Sequence, residues 1–157
     1  MRVDFDSITG EQFEQYRDFC DTRSAAEFRY RREACGIEIA EVAEDLGVRL
    51  DTAKRWENPR KGLQPSLRAW AYIDSAYEDL LDAVEAAIQQ AEELEGSFGG
   101  HVRVAYRRGN MPTRDGETVA RANATARAAV LALTALGYDA DVEWADEGAA
   151  GMAARAR

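Results

Sequence analysis

The sequence predicts a mainly α-helical chain with a small α+β module at its C-terminal end. Three patterns indicate this fold class. Apolar residues recur at helical spacing through much of residues 10–95, a Gly-rich stretch follows at residues 96–100, and two short alternating segments then flank an Ala-rich segment. A 3.6-residue period is typical of helices with one buried face, and strict alternation is typical of half-buried strands. We therefore expect a helical N-terminal domain, a long connecting helix and a strand-helix-strand module.

The first 35 residues predict two helices. Phe13, Tyr16 and Phe19 have helical spacing, and Thr9 is placed to cap a helix that begins near Glu11. So many aromatic residues indicate that this helix packs on the rest of the domain. A second helix is expected over residues 24–35, with Gly36 as its stop.

Residues 36–58 predict two short amphipathic helices joined by a tight turn. The first helix carries an apolar stripe with i, i+3, i+4, i+7 spacing: Ile39, Val42, Ala43 and Leu46. Gly47 lies where the chain must turn, which a residue without a Cβ does at little steric cost. The second helix, roughly residues 50–57, turns Ala53 and Trp56 to a core and its polar side chains to solvent.

This segment resembles the helix-turn-helix domain of Cro/lambda-repressor-type (XRE-type) DNA-binding proteins. The resemblance rests on Ala43 with Leu46-Gly47-Val48 at the turn, and on Arg55-Trp56-Glu57-Asn58 closing the second helix. It covers about residues 25–80, half of the chain. It implies that the second helix enters the DNA major groove. A helix-turn-helix used only for packing is the alternative.

The resemblance also implies which residues contact DNA. Base contacts are expected from the start of the recognition helix: Leu50, Asp51, Thr52, Lys54 and Arg55. Arg55 could bond a guanine through two hydrogen bonds, Leu50 could touch a thymine methyl, and Asp51 could accept from cytosine or cap its own helix. Phosphate contacts are expected from four residues: Arg49, Asn58, Arg60 and Lys61.

Two residues depart from the family pattern. Ile39 stands where the family often has a glutamine that bonds a phosphate, and Arg49 stands where a Ser or Thr usually caps the recognition helix. Both departures concern individual contacts and leave the predicted fold unchanged.

The net charge of −9 argues against nucleic-acid binding unless the charge is unevenly distributed. Residues 29–68 carry nine basic and seven acidic side chains, whereas residues 69–96 carry eight acidic and no basic ones. The basic patch predicted in the first of these segments combines two groups: Arg29, Arg31 and Arg32 before the motif, and Arg49, Lys54, Arg55, Arg60 and Lys61 around its second helix. At a Debye length of roughly 8 Å, a remote acidic helix weakens such a patch without cancelling it.

A long helix is expected over about residues 66–95. Its apolar positions alternate steps of three and four, which is the 3.5-residue period of a coiled-coil seam: Trp70, Ile73, Tyr77, Leu80, Val84, Ala87, Ala91 and Leu94, widened by Leu81 and Ile88. We expect the first end to lie on its own domain. The distal end has no obvious partner, which favours dimerisation or docking of the C-terminal piece.

Beyond a linker at residues 96–100, alternation predicts a strand at 101–107 with Val102, Val104 and Tyr106 on one face. The Ala-rich helix of residues 116–136 carries a stripe expected to be buried: Val119, Ala122, Ala126, Val130, Leu133 and Leu136. Gly137 is its C-cap, and residues 138–144 form a second strand. A parallel or mixed sheet this small has exposed edges and is usually completed by a second copy.

The predicted organisation is therefore a DNA-binding domain at 1–65, a long helix at 66–96 that contributes to dimerisation, a dimerisation module at 101–145 and a flexible tail at 146–157. The absence of an 18-residue apolar run and of a leader predicts a cytoplasmic protein without a membrane partner. With one histidine and no phosphate loop or metal-spaced Cys/His set, we expect neither catalysis nor a metal or cofactor. Cys20 and Cys35 are expected to be reduced, partly buried thiols.

These observations predict a sequence-specific transcriptional regulator, a homodimer that binds double-stranded DNA at an inverted-repeat operator and, by the family resemblance, a repressor. The alternative is a protein-binding adaptor or antitoxin whose main target is a partner protein.

Overall fold

The computed structural model describes Phe5, residues 7–98, residues 101–109, Thr113 and residues 116–146. It is mainly helical, with a two-stranded parallel sheet towards the C-terminal end, which confirms the predicted fold class. The chain divides into two compact units, Met1–Asp79 and Leu80–Arg157, and the division falls within one long helix.

The first unit is entirely helical in its described part. Its elements are α1 (Gly10–Asp21), α2 (Ala25–Ala34), α3 (Ile39–Asp45), α4 (Leu50–Trp56), a 3₁₀ turn (Pro59–Lys61) and the first part of α5 (Leu67–Phe98). The predicted cap of α1 is confirmed, because the Thr9 hydroxyl accepts from the Gln12 N–H while the Gln12 side chain accepts from the Thr9 N–H. Gly36 ends α2 with φ at 68°, as expected.

The core of the first unit is built around aromatic rings. Phe28 of α2 makes edge-to-face contacts with Trp56 of α4 and Trp70 of α5, with ring centroids 6.0 and 5.2 Å apart. Tyr16 of α1 is fully buried, so α1 packs on the domain as its aromatic content predicted. Cys20 and Cys35 are buried and are not joined in a disulfide.

The long helix α5 differs from its prediction in two respects. It continues to Phe98, past Gly96, so the linker predicted from composition is wrong at residues 96–98, and residues 99–100 lie outside the described chain. Its predicted apolar stripe is also not exposed along its whole length. Leu80 and Ala91 are buried within a single chain, whereas Leu81 is 49% exposed. Helical periodicity located the apolar stripe but could not say what covers it.

The second unit contains the remaining part of α5, β1 (His101–Tyr106), α6 (Val119–Ala135) and β2 (Asp139–Trp144). The strands pair in parallel, with Val104 opposite Val142 and Tyr106 opposite Trp144, and α6 packs against both strands. Thr118 caps α6, and Gly137 follows its end with φ at 90°, as predicted. Of the predicted tail, only Asp146 is described.

Burial in this unit corrects one expectation. Leu136, predicted to belong to the buried stripe of α6, is 60% exposed, because it is the C-cap residue and the helix has already ended. Val142 and Trp144 of β2 are 49% and 39% exposed. The corresponding residues of β1 are only partly exposed, so α6 leaves the β2 side of the sheet incompletely covered.

The other face of the sheet is charged. His101 Nδ1 lies 2.8 Å from Asp139 Oδ2, and the Arg103 guanidinium lies 3.7 Å from Asp141 and from Glu143. Opposite charges on paired positions of neighbouring strands stabilise the chosen register. Among the described residues, no helix is long and apolar enough to cross a membrane.

Candidate nucleic-acid interface

The turn between α3 and α4 has the geometry that the sequence predicted. Gly47 adopts φ at 65°, a left-handed conformation that favours glycine. The Val48 N–H donates to the Ala43 carbonyl at 2.9 Å, which closes the end of α3. Arg49 is the N-cap of α4 and makes no capping hydrogen bond with its side chain. Asp51 lies inside the first turn of α4, so it does not act as the cap.

The outer surface of α4 is open in the described structure. Of the residues predicted to contact bases, four are exposed: Leu50, Asp51, Lys54 and Arg55. Leu50 exposes 40% of its surface, and the fifth residue, Thr52, is half-buried. The opposite side of the helix is buried through Ala53 and Trp56. Packing of these two residues therefore fixes which side of α4 faces outward.

The segment after α4 adds two more basic side chains, Arg60 and Lys61. Asn58 caps the 3₁₀ turn, because its Oδ1 accepts from the Arg60 N–H at 3.0 Å, and Gly62 ends the turn with φ at 61°. The side chains of Arg60 and Lys61 are exposed. The Asn58 oxygen is thus used by the fold, and its amide NH₂ is the group that could donate to a phosphate.

Six cations between residues 49 and 68 make no ion pair with any residue that the structure describes. We call them the open cations: Arg49, Lys54, Arg55, Arg60, Lys61 and Arg68. All six are exposed. The acids of this segment are Asp51, which is exposed, and Glu57, which is neutralised by an arginine. The segment therefore offers uncompensated positive charge to solvent.

Three arginines that were predicted to belong to the basic patch are instead paired with carboxylates of the same chain. The predicted patch is therefore corrected. Arg29 pairs with Glu33 at 2.8 Å, Arg31 bonds Asp74 at 3.0 Å, and Arg32 bonds Glu57 at 2.5 Å. The hydrogen bond from Arg29 lowers the pKa of the Glu33 carboxyl. Arg29, Arg31 and Arg32 therefore belong to internal ion pairs, and the patch consists of the open cations alone.

A buried carboxylate on α5, that of Asp74, binds both Arg23 and Arg31. The Arg23 guanidinium holds Asp74 through two hydrogen bonds of 2.7 and 2.9 Å, and Tyr16 donates to the same carboxylate at 3.2 Å. Arg23 also lies 3.7 Å from the centre of the Trp70 ring. Burial opposes the charge of Arg23, but the hydrogen bonds to Asp74 outweigh it and raise the arginine pKa. Burial is also the main cause that raises the pKa of Tyr16.

A second ion pair, between Arg32 and Glu57, ties α2 to the end of α4 and to the start of α3. Arg32 of α2 donates through Nε and Nη2 to the two carboxylate oxygens of Glu57, the C-cap residue of α4, at 2.5 and 3.1 Å. Its Nη1 donates to the Ile37 carbonyl, just before α3, at 2.7 Å. A two-pronged arginine-carboxylate bond has a defined geometry. Arg32 therefore holds the end of α4 at a fixed place on α2.

Sequence reasoning missed the roles of Asp74 and Glu57. Asp74 follows Ile73 and lies one helical turn after Trp70, so the periodicity already placed a carboxylate beside the buried stripe. A charge in that position requires a partner, which was the available signal. For Glu57 no local pattern could have identified Arg32, because the two residues are 25 positions apart.

No protein-family model, curated protein or solved structure matches this chain significantly. Within the described ranges, no group of three or more His, Cys, Asp or Glu side chains is arranged to hold a metal ion.

Proposed function

We propose that this chain is a sequence-specific DNA-binding regulator that acts as a homodimer and reads an inverted-repeat operator through α4. The observation that carries the proposal is the contrast between the open cations of residues 49–68 and the paired arginines of residues 17–32. A protein that binds a polyanion needs cations that are not already neutralised by its own carboxylates, because binding energy comes from releasing counterions at phosphates.

The placement of the open cations also supports DNA as the partner. Lys54 and Arg55 project from a helix whose inner side is buried through Ala53 and Trp56, and a short exposed helix fits the width of the major groove. Arg60 and Lys61 follow on the adjoining turn, where flanking phosphates would lie if α4 entered the groove. The resemblance of residues 25–80 to Cro/lambda-repressor-type domains favours the same arrangement.

The proposal is tested by gel-shift titration of the full chain against DNA from upstream of its own gene, with random DNA of equal length as competitor. We expect a specific complex that withstands the competitor, and a footprint of two half-sites about 34 Å apart in inverted orientation. Specific and random DNA competing equally would contradict sequence-specific binding. A single asymmetric half-site would contradict reading by a two-fold dimer.

A protein-binding adaptor is the second candidate. Leu81 and Leu94 of α5 remain 49% and 38% exposed on a stretch of helix that has acidic and no basic side chains. A basic, apolar partner surface would complement it. This role predicts that removing the open cations leaves partner binding unchanged, whereas the DNA-binding role predicts that it abolishes the specific complex.

A further inference from the structure

We infer that the chain dimerises by pairing the free edge of β1 with β1 of a second copy, in antiparallel register about Val104. The inference rests on the proposed function, since a two-fold dimer is what an inverted repeat requires. It specifies the surface that the proposed function leaves undefined, and it is argued from the second unit alone.

Within the part of the chain that the structure describes, each strand of this sheet has one edge without a neighbouring strand. The sheet contains β1 and β2 only, and no backbone hydrogen bond joins residues 101–106 to another described segment outside the sheet. An unpaired row of N–H and C=O groups is a template for another strand. The seam of α5 is a weaker candidate, because Leu80 and Ala91 are already buried within one chain.

Charge decides between the two edges. The charged face of β2 carries an acid at every alternate position: Asp139, Asp141 and Glu143. Every symmetric antiparallel register that pairs three or more residues of two β2 strands therefore places acid opposite acid, and like charges directly opposite are destabilising. Pairing β1 with β2 of the next copy would avoid this, but a head-to-tail contact leaves an edge free at each end and does not close.

The β1 edge permits one favourable symmetric register. With Val104 on the two-fold axis, Val102 faces Tyr106 on the apolar face, and Arg103 faces Ala105 on the charged face. The alternative register of equal length, centred on Arg103, would place that arginine opposite itself. The register about Val104 therefore forms an apolar centre without an arginine-arginine contact.

The dimensions of the unit also agree with this dimer. The product is a four-stranded sheet of order β2-β1-β1-β2, and α6 packs against both strands in each copy. Because strands are about 4.8 Å apart, the two α6 helices would lie about 10 Å apart on the same face, which is a normal helix-packing distance.

The first test is the mass of the full chain by sedimentation equilibrium without DNA. We expect twice the monomer mass of 17.4 kDa at micromolar concentration. A monomer at all concentrations up to the millimolar range would overturn the inference. If that monomer still occupied one half-site, DNA binding itself would stand. A dimer that fails to bind DNA would overturn the proposed function and leave the inference intact.

The register is tested by cross-linking under mild oxidation. In Val104→Cys the two new thiols face each other with Cα atoms about 4.5–5.5 Å apart, within the range that a disulfide spans. The matched control Val102→Cys lies on the same face, but its two copies would be about 14 Å apart along the paired strands. We expect a cross-linked dimer from Val104→Cys and none beyond wild type from Val102→Cys. Equal cross-linking by both, or none by Val104→Cys, would refute this register.

A charge variant tests the same edge without oxidation. Ala105 is exposed and pairs with Glu143 inside the chain, so Ala105→Arg is favourable within the monomer. Across the proposed interface it faces Arg103 of the other copy, twice per dimer. We expect the dimer dissociation constant to rise about tenfold, with Ala105→Gln as the neutral control. An unchanged constant for Ala105→Arg would contradict the β1 edge.

Discussion

Two groups of basic side chains in the first unit are similar in chemistry but differ in whether they pair with a carboxylate. The arginines of residues 17–32 each bond a carboxylate, and Arg23 and Arg32 are buried while doing so. The open cations of residues 49–68 are exposed and pair with no described acid. Arg23, Arg31 and Arg32 therefore hold helices together, whereas Arg17 and Arg29 pair within their own helices. The open cations are available to a partner.

The comparison shows why counting charges along the sequence was insufficient. A local balance of +2 over residues 29–68 treats all nine basic residues alike. Once Arg29, Arg31 and Arg32 are assigned to internal pairs, the remaining positive charge is concentrated around α4 and the turn that follows. A chain with net charge −9 can in this way present one strongly positive surface.

The largest expected effect comes from removing Asp74, the buried carboxylate that binds Arg23. Asp74→Ala removes the buried carboxylate from the Arg23 guanidinium and leaves it only the partly exposed Glu27, which we expect to lower the free energy of unfolding by roughly 3–5 kcal/mol. Urea titration at pH 7 measures this. Glu85→Ala, an exposed acid on the same helix, is the control and should change stability by less than about 0.5 kcal/mol. Similar losses for both variants would contradict the role of Asp74.

The Arg32–Glu57 pair should give the next largest effect. Glu57→Ala removes the two hydrogen bonds that the Arg32 guanidinium makes to its carboxylate and leaves the one to the Ile37 carbonyl, so we expect a loss of about 3 kcal/mol in unfolding free energy. Glu44→Ala removes an exposed acid from α3 and serves as the comparison. A stability loss no greater than that of Glu44→Ala would show that the pair does not hold α4 in place.

The open cations should affect binding and leave stability unchanged. Arg55→Ala is expected to weaken specific DNA binding by roughly 1–3 kcal/mol and to relax one base position, whereas Lys61→Ala should weaken specific and random DNA alike. Fluorescence anisotropy with both DNAs at several salt concentrations separates the two residues. Equal losses for Arg55→Ala on specific and random DNA would exclude a base contact.

The smallest expected effect is an alkaline loss of stability. Burial raises the pKa of the Cys20 thiol and of the Tyr16 phenol in the folded chain. The folded state therefore keeps these protons when the unfolded chain has lost them, and stability falls as the pH rises above about 9. Each group contributes a slope of at most about 1.4 kcal/mol per pH unit. Tyr16→Phe should flatten the slope above pH 10 in urea titrations, and an unchanged slope would contradict the assignment.

Local signals in the sequence predicted the helices, several of their caps and the two strands. Thr9 as cap, Gly47 at the turn and Gly137 after α6 each act through neighbouring backbone, so a short window of residues contains the cause. The same is true of β1, whose alternation is visible over six residues.

Long-range pairing and helix ends were less predictable. Nothing near Arg32 or Glu57 indicates the other, because their contact depends on how α2 and α4 pack. The exposure of Leu136 depends on α6 ending one residue earlier. Conversely, Gly96 did not end α5, since one glycine costs a helix only about 1 kcal/mol relative to alanine.

The most direct test of the account compares two double variants with the same change in net charge. Lys54→Gln/Arg55→Gln removes two open cations, and Arg17→Gln/Arg29→Gln removes two exposed arginines that pair with Glu14 and Glu33. Gel-shift titration against the upstream DNA should show at least a tenfold loss of affinity for the first variant and less than a twofold loss for the second. Equal losses, or no loss for the first, would contradict the claim that α4 carries the DNA-binding surface.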